Sequence, residues 1–248
     1  MPQFVADFEA YMPAEFNGKP YGVAGVLATL DEAGIDACVL FQGGVPADPR
    51  PGNAHVLAAA KGQSRILPGC LVNPTMGPLA TEDLKRCVDL GARTVKLMAA
   101  AHRYRIDSSC VDPVMELAKE LGIPATIHSG SELSGCSPEY IGALAQRHPD
   151  VTIIMDHMGY REWTGLAVAA AVANPNIYLG TTLIAAAEPI TIKTIARGGQ
   201  VGADRIVFGS NSPAGVASHG VGGIRLVGFT PEEESLILGE NLKRIYQL

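Results

Sequence analysis

The chain has no apolar run that approaches the ~18 residues needed to cross a membrane. Its first residues, MPQFVADFEAYMP, lack a basic region followed by an apolar one, so no secretory leader is expected. Basic residues are in the minority. Against 25 Asp and Glu stand 19 Lys and Arg, a net charge of −6, which leaves no basic stripe for a nucleic-acid backbone. Cysteine is sparse and odd in number: Cys38, Cys70, Cys87, Cys110 and Cys136, with no CxxC pair. That excludes a disulfide framework and a Cys-based zinc knuckle, and a reducing cytoplasm is the expected compartment. No GxGxxG follows the first strand-like run, which weakens a dinucleotide-binding open sheet. What remains is 248 residues, 47% of them hydrophobic. That is ample for a closed core and too apolar for disorder, and the length suits one large domain over residues 1–248.

The chain alternates short, β-branched apolar runs with Ala/Leu-rich helical stretches. The runs lie at 4–11, 37–44, 65–74, 92–98, 123–130, 151–159, 176–183 and 204–213. Helical stretches follow at 21–34, 53–62, 81–91, 112–122, 137–149, 164–174, 188–199 and 230–248. Thr81, Ser137 and Thr230 read as helix starts, Gly34 and Gly91 as stops. The Gly-rich AGVASHGVGG after the eighth run reads as a mobile segment. Near-continuous apolar strands such as VTIIM suit a parallel sheet buried on both faces. Eight β/α pairs predict an α/β protein, a single (β/α)8 TIM barrel, over a doubly wound open sheet.

In such a barrel the C-terminal strand ends converge on one mouth, where active sites sit. Several of these strands carry chemically capable residues. Asp7, Glu9 and Tyr11 alternate on the first, which puts them on one face. Lys96 lies on the fourth, His128 ends the fifth, Asp156 and His157 end the sixth, and Asn211 ends the eighth. Two histidines at equivalent positions of adjacent strands point to a site, since imidazole is both metal ligand and acid/base group near neutral pH. Glu9 inside an apolar strand needs a metal, a cation or a proton, and Lys96 is the alternative partner to a metal. His102 and Arg103, followed by Tyr104 and Arg105, lie on the long segment after the fourth strand, where they could contact an anionic substrate. His55 and His148 read as solvated.

GARTVKL, ELGIPATIHSG, RHPDVTIIMDHMG, ADRIVFGSNSP and LGENLKRIY occur in this order, and together they resemble the amidohydrolase-related (amidohydrolase 2) family of metal-dependent TIM-barrel hydrolases and decarboxylases. The resemblance implies Asp-x-His-x-His on the first strand, where this chain has Asp7-Phe8-Glu9-Ala10-Tyr11. It implies a strand-eight aspartate, replaced here by Asn211. It casts His128 as metal ligand and His157 as proton shuttle. Glu9, His128 and Asn211 would then hold one divalent ion, zinc or manganese. Tyr11, Lys96, His102 and Arg103 are assigned to the substrate. The expected activity is hydrolysis of a small, carboxylate-bearing molecule at the mouth. Decarboxylation, a metal-independent lactonase and a non-catalytic ligand-binding barrel are the alternatives. Association into homo-oligomers is also implied by the resemblance.

Overall fold

The structure, a computed structural model, describes residues 3–130 and 132–248. Eight strands form one sheet: β1 Ala6–Met12, β2 Ala37–Gln42, β3 Ile66–Val72, β4 Thr94–Leu97, β5 Ala125–Ile127, β6 Ile153–Met155, β7 Ile177–Gly180 and β8 Ile206–Val207. Each pairs in parallel with the next in sequence. The segment from β8 onward returns to β1. Phe8 N donates to Phe208 O at 3.0 Å, Asn211 N to Glu9 O at 3.0 Å, and Tyr11 N to Ser212 O at 2.8 Å. The expected (β/α)8 barrel is therefore what the chain forms. The helices that follow the strands are α1 Gly22–Ala33, α2 Arg50–Ala60, α3 Pro78–Asp89, α4 Asp112–Leu121, α5 Pro138–Arg147, α6 Tyr160–Ala173, α7 Pro189–Arg197 and α8 Ala217–Leu226.

Strand alternation sorts the side chains into two layers. Val95 and Leu97 of β4 join the large apolar layer between sheet and helices, and Lys96 falls between them in phase. A second cluster contains Phe8, Val39, Phe41, Leu67, Ile154 and Val207. Leu242 and Tyr246 of α9 (Asn241–Tyr246) also belong to it and seal the base of the barrel. Asn241 fastens this plug: its Nδ2 donates to Ala203 O at 2.8 Å and Ile206 O at 2.7 Å.

Four local expectations need correction. The register slips between Asp7 and Ala10, so β1 carries one extra residue against β2. Strict alternation fails there: Phe8 packs in the inner cluster, while Asp7 turns to Ser210. The Gly-rich segment after β8 is helix α8, which packs tightly on Phe208 at Gly220 and approaches the Ala185 carbonyl at Gly223 too closely for any Cβ. α3 starts at Pro78, and Thr81 Oγ1 bonds back to Pro78 O instead of capping. His148 is buried, with Nε2 at 2.9 Å from Asp112 and Nδ1 at 3.2 Å from Glu116. Thr230 does cap its helix, in a reciprocal box with Glu233.

Candidate active site

The mouth is built around a buried cation. Lys96 is 0% exposed, and its Nζ donates to Glu9 Oε1 and, at 3.0 Å, to Asp156 Oδ2. Its charge also lies 5.6 Å from the Tyr11 ring centre and 5.4 Å from that of Phe41. The Tyr11 hydroxyl donates to the same Glu9 oxygen. The second one, Oε2, accepts from Thr182 Oγ1 at 3.0 Å. Two strands, β1 and β4, and the segment after β7 thus meet on one carboxyl.

Charge is balanced within this knot. Burial, reinforced by the Asp156 charge and opposed by Lys96, pushes the Glu9 carboxyl up to about 8. Burial would also raise Asp156, but His157, Lys96 and the hydrogen bond from His128 outweigh it and hold this carboxyl well below its ordinary range. Burial would lower Lys96, yet Asp156 and Glu9 keep it charged. The Lys96 ammonium thus lies between two buried carboxyl groups.

The two histidines stack above this layer. β6 ends in a loop where His157, Met158, Gly159 and Tyr160 all have positive φ, at 57°, 38°, 82° and 51°. Non-glycine residues hold such geometry only when their surroundings over-determine it. Here His157 N donates to Asp156 Oδ1 at 2.7 Å, Gly159 N to Ser129 Oγ at 3.0 Å, and Met158 is fully buried. Tyr160 stacks on the His157 ring at 4.3 Å, and burial beside Asp156 and Glu9 raises its phenol to about 12.

Burial pushes His157 down to about 4, against the pull of Asp156 and with help from His128 and Lys96, so it is neutral at pH 7. Its Nδ1 lies 3.3 Å from Thr182 O, and its Nε2 lies 3.2 Å from Asp156 Oδ2 and 3.1 Å from His128 Nδ1, so the ring is held between two acceptors and the second imidazole. The His128 side chain is 20% exposed and that of His157 only 4%.

Of the sequence-predicted residues, the structure brings together Glu9, Tyr11, Lys96, His128 and His157. Asn211 joins β1 through its backbone, which donates to Glu9 O. Among the described residues no bond carries its side chain into the cluster. His102 and Arg103 lie on the mouth-side segment after β4. His102 Nε2 is bound to Pro46 O at 3.0 Å, and Arg103 is exposed. The sequence reading gave no role to Asp156, Thr182 or Tyr160. Asp156 stood visible beside His157. Thr182 carries no signal of its own, since nothing in the sequence marks which hydroxyl after β7 will reach β1.

Two donor sets bear on a metal. The expected set, Glu9 with His128 and Asn211, does not fit one. Both Glu9 oxygens are taken by protein donors, one of them an ammonium. A different set has suitable spacing: His128, Asp156 and His157 each present a donor atom within 4.8 Å of the others.

A family model described as amidohydrolase (Amidohydro_2) matches residues 7–248, and the chain belongs to that family. Comparison with curated proteins gives no match. Among solved structures, an uncharacterised TIM-barrel protein from Bordetella bronchiseptica is 20% identical, with TM-score 0.78 and 97% of each chain covered. The 2,6-dihydroxybenzoate decarboxylase from Rhizobium is 18% identical, with TM-score 0.73 and 99% of each chain covered. The 5-carboxyvanillate decarboxylase from Novosphingobium aromaticivorans, solved with manganese and a nitrobenzoic acid ligand, is 13% identical at TM-score 0.78, covering 99% of this chain and 96% of that one. At these identities the likeness is one of fold. No helix among the described residues is long and apolar enough to cross a membrane.

Proposed function

We propose that this barrel is a hydrolase acting on a small, carboxylate-bearing molecule, with His128 as the acid/base group. The observation that carries the reading is the pairing of the two rings at 3.1 Å beside Asp156, with His128 the more exposed of the two. His128 Nε2 takes a proton from water as the hydroxyl adds to the substrate carbonyl, then returns it to the leaving oxygen or nitrogen. His157 is a positioning residue that holds the His128 ring through the 3.1 Å contact between them. This reverses the roles that the resemblance implies for the pair. Lys96 is fully engaged inside the barrel, the Tyr11 hydroxyl donates to Glu9 and His102 Nε2 is held by Pro46 O, so the substrate carboxylate is assigned to Arg103.

Decarboxylation at the same mouth is the second reading. It is favoured by the His128, Asp156 and His157 donor set and by decarboxylases of carboxylated aromatics among the fold neighbours. In that reading these three residues would hold a divalent ion, zinc or manganese, which supplies charge for a substrate carboxylate.

The test is a panel of lactones, esters, amides and carboxylated phenols, with acid release and CO₂ release read separately. His128→Ala is expected to lower kcat/KM by ~10²–10⁴-fold. His157→Phe is expected to cost less, about tenfold to a hundredfold, and to shift the pH profile. Undiminished turnover in His128→Ala would end the hydrolase reading, and CO₂ release as the main product would replace it with the second.

A further inference from the structure

A family tied to metal-dependent chemistry raises the question of what balances the carboxyl groups of this mouth. We infer that the Lys96 ammonium is the resident cation of the barrel, and that it stands in place of a divalent metal ion and keeps one out. It rests on the hydrolase reading, since the decarboxylase reading would place a divalent ion on Asp156.

Three observations support it. The first is placement. Nζ is completely buried between a carboxyl of β1 and a carboxylate at the end of β6, with two aromatic rings within 6 Å of its charge. A lysine merely crossing the barrel would carry its charge toward solvent, since the long stem allows it. The second is saturation. Glu9 has no oxygen left for an ion: Lys96 and Tyr11 share one and Thr182 takes the other. Tyr11, at a position where the resemblance implies a histidine ligand, is a hydrogen-bond donor to Glu9.

The third is exclusion. The remaining donor set needs Asp156 Oδ2, which already accepts from Lys96 at 3.0 Å. An ion bound to that oxygen at ~2.1 Å could lie no more than about 5 Å from the ammonium. Like charges that close in a buried site repel strongly. One carboxylate must then choose between the lysine and the metal. A strand-borne cation is tethered by the chain and needs no binding equilibrium, so the lysine wins wherever the barrel is folded.

A metal site is therefore latent here, masked by one charge. Lys96→Met keeps length and bulk but removes the ammonium. It frees the Asp156 oxygen and leaves His128, Asp156 and His157 as three donors within 4.8 Å of one another. The experiment uses the full chain, purified without a metal-binding tag. Zinc and manganese are titrated against a chromophoric chelator, and retained metal is counted by elemental analysis after dialysis. Wild type should retain less than about a tenth of an equivalent. Lys96→Met should retain close to one equivalent of zinc and bind it at least ~100-fold more tightly than wild type. Because the variant leaves two acids facing each other, its melting temperature is followed with and without zinc, and zinc should raise it in the variant alone. A variant too unstable to isolate is replaced by Lys96→Gln, for which the same gain is expected. One equivalent of metal held by wild type and lost in Glu9→Gln would overturn the inference. So would Lys96 variants that fold but gain no metal. Neither outcome touches the His128 assignment, which is read by turnover.

Discussion

The two ends of the barrel solve the same geometric problem with different residues. At the base, where helices turn into strands, left-handed backbone falls on glycine: Gly34, Gly62, Gly91, Gly122, Gly199 and Gly228. A Cβ at Gly34, Gly91 or Gly122 would meet nothing within 4 Å, so conformation alone requires glycine there. At the mouth, left-handed backbone falls mostly on larger residues: Arg103 after β4, His157, Met158 and Tyr160 after β6, Leu183 after β7 and Asn211 after β8. The base is built for stability and the mouth holds strain, which is where a folded chain stores it when side chains must point at a shared centre. The ion pairs divide in the same way. The mouth pair, Lys96 with Asp156, is fully buried. An outer pair such as Lys119 with Asp150 is 52% and 63% exposed.

Asp156→Asn gives the widest separation between these regions. It strips the ammonium of its ionised partner inside the barrel, and ~3–5 kcal/mol of stability should be lost by urea unfolding. Asp150→Asn, at the outer pair, should cost less than about 1 kcal/mol. Equal costs would mean that the mouth cation is solvated and the contrast false.

Backbone strain comes next in size. Gly122→Ala at the base forces an ordinary residue to φ 64° and should cost about 1–2 kcal/mol. Tyr160→Gly relieves a residue at φ 51° and ψ −175°, worth ~1–3 kcal/mol. It also forfeits stacking on His157, worth ~0.5–1.5 kcal/mol. The variant should be no less stable than wild type and at least about tenfold less active. A clear loss of stability would show that the mouth is not strained.

The smallest effect concerns pH, because opposing groups offset one another. Asp7, pushed up to about 7 chiefly by burial, adds stability that is present below its ordinary range and lost as pH rises through 7. Glu9, at about 8, acts in the same direction. His157 acts in the opposite one. Its contribution is present above 6.5 and lost as pH falls through 4. Replacing it should therefore make stability decline more steeply between pH ~4.5 and ~6.5 than in wild type. Parallel slopes for wild type and His157→Phe would mean that His157 titrates normally.

The sequence made the architecture legible because apolar periodicity and spacing are local properties. All eight strands were visible as runs. It also made the pairing of Lys96 with Glu9 visible, since a buried acid on one apolar strand and a base on another have few partners. What stayed hidden was whatever depends on a one-residue offset or on a distant neighbour. The bulge in β1 separated Asp7 from Glu9, though the alternation had placed them together. The setting of the His157 ring depends on Thr182 O, a backbone carbonyl that looks the same in every residue. Asn211 stands at the position the resemblance assigns to a ligand, yet its backbone, not its amide, joins the site.

The closure of β1 has a consequence for how the protein is made. Asp7 accepts from Ser210 N at 3.0 Å and from the Ser210 hydroxyl, across 203 positions of sequence. At a translation rate of ~5–20 residues per second, about 10–40 s separate the synthesis of these two residues. Throughout that interval β1 can pair along one edge only. The nascent chain therefore offers a free strand edge beside Asp7, Glu9 and Tyr11 until almost the last turn of the barrel leaves the ribosome. Polar side chains on that first strand make it a poorer template for a neighbouring chain than an all-aliphatic one would be. The residues that later furnish the mouth thus also guard the edge while synthesis is under way.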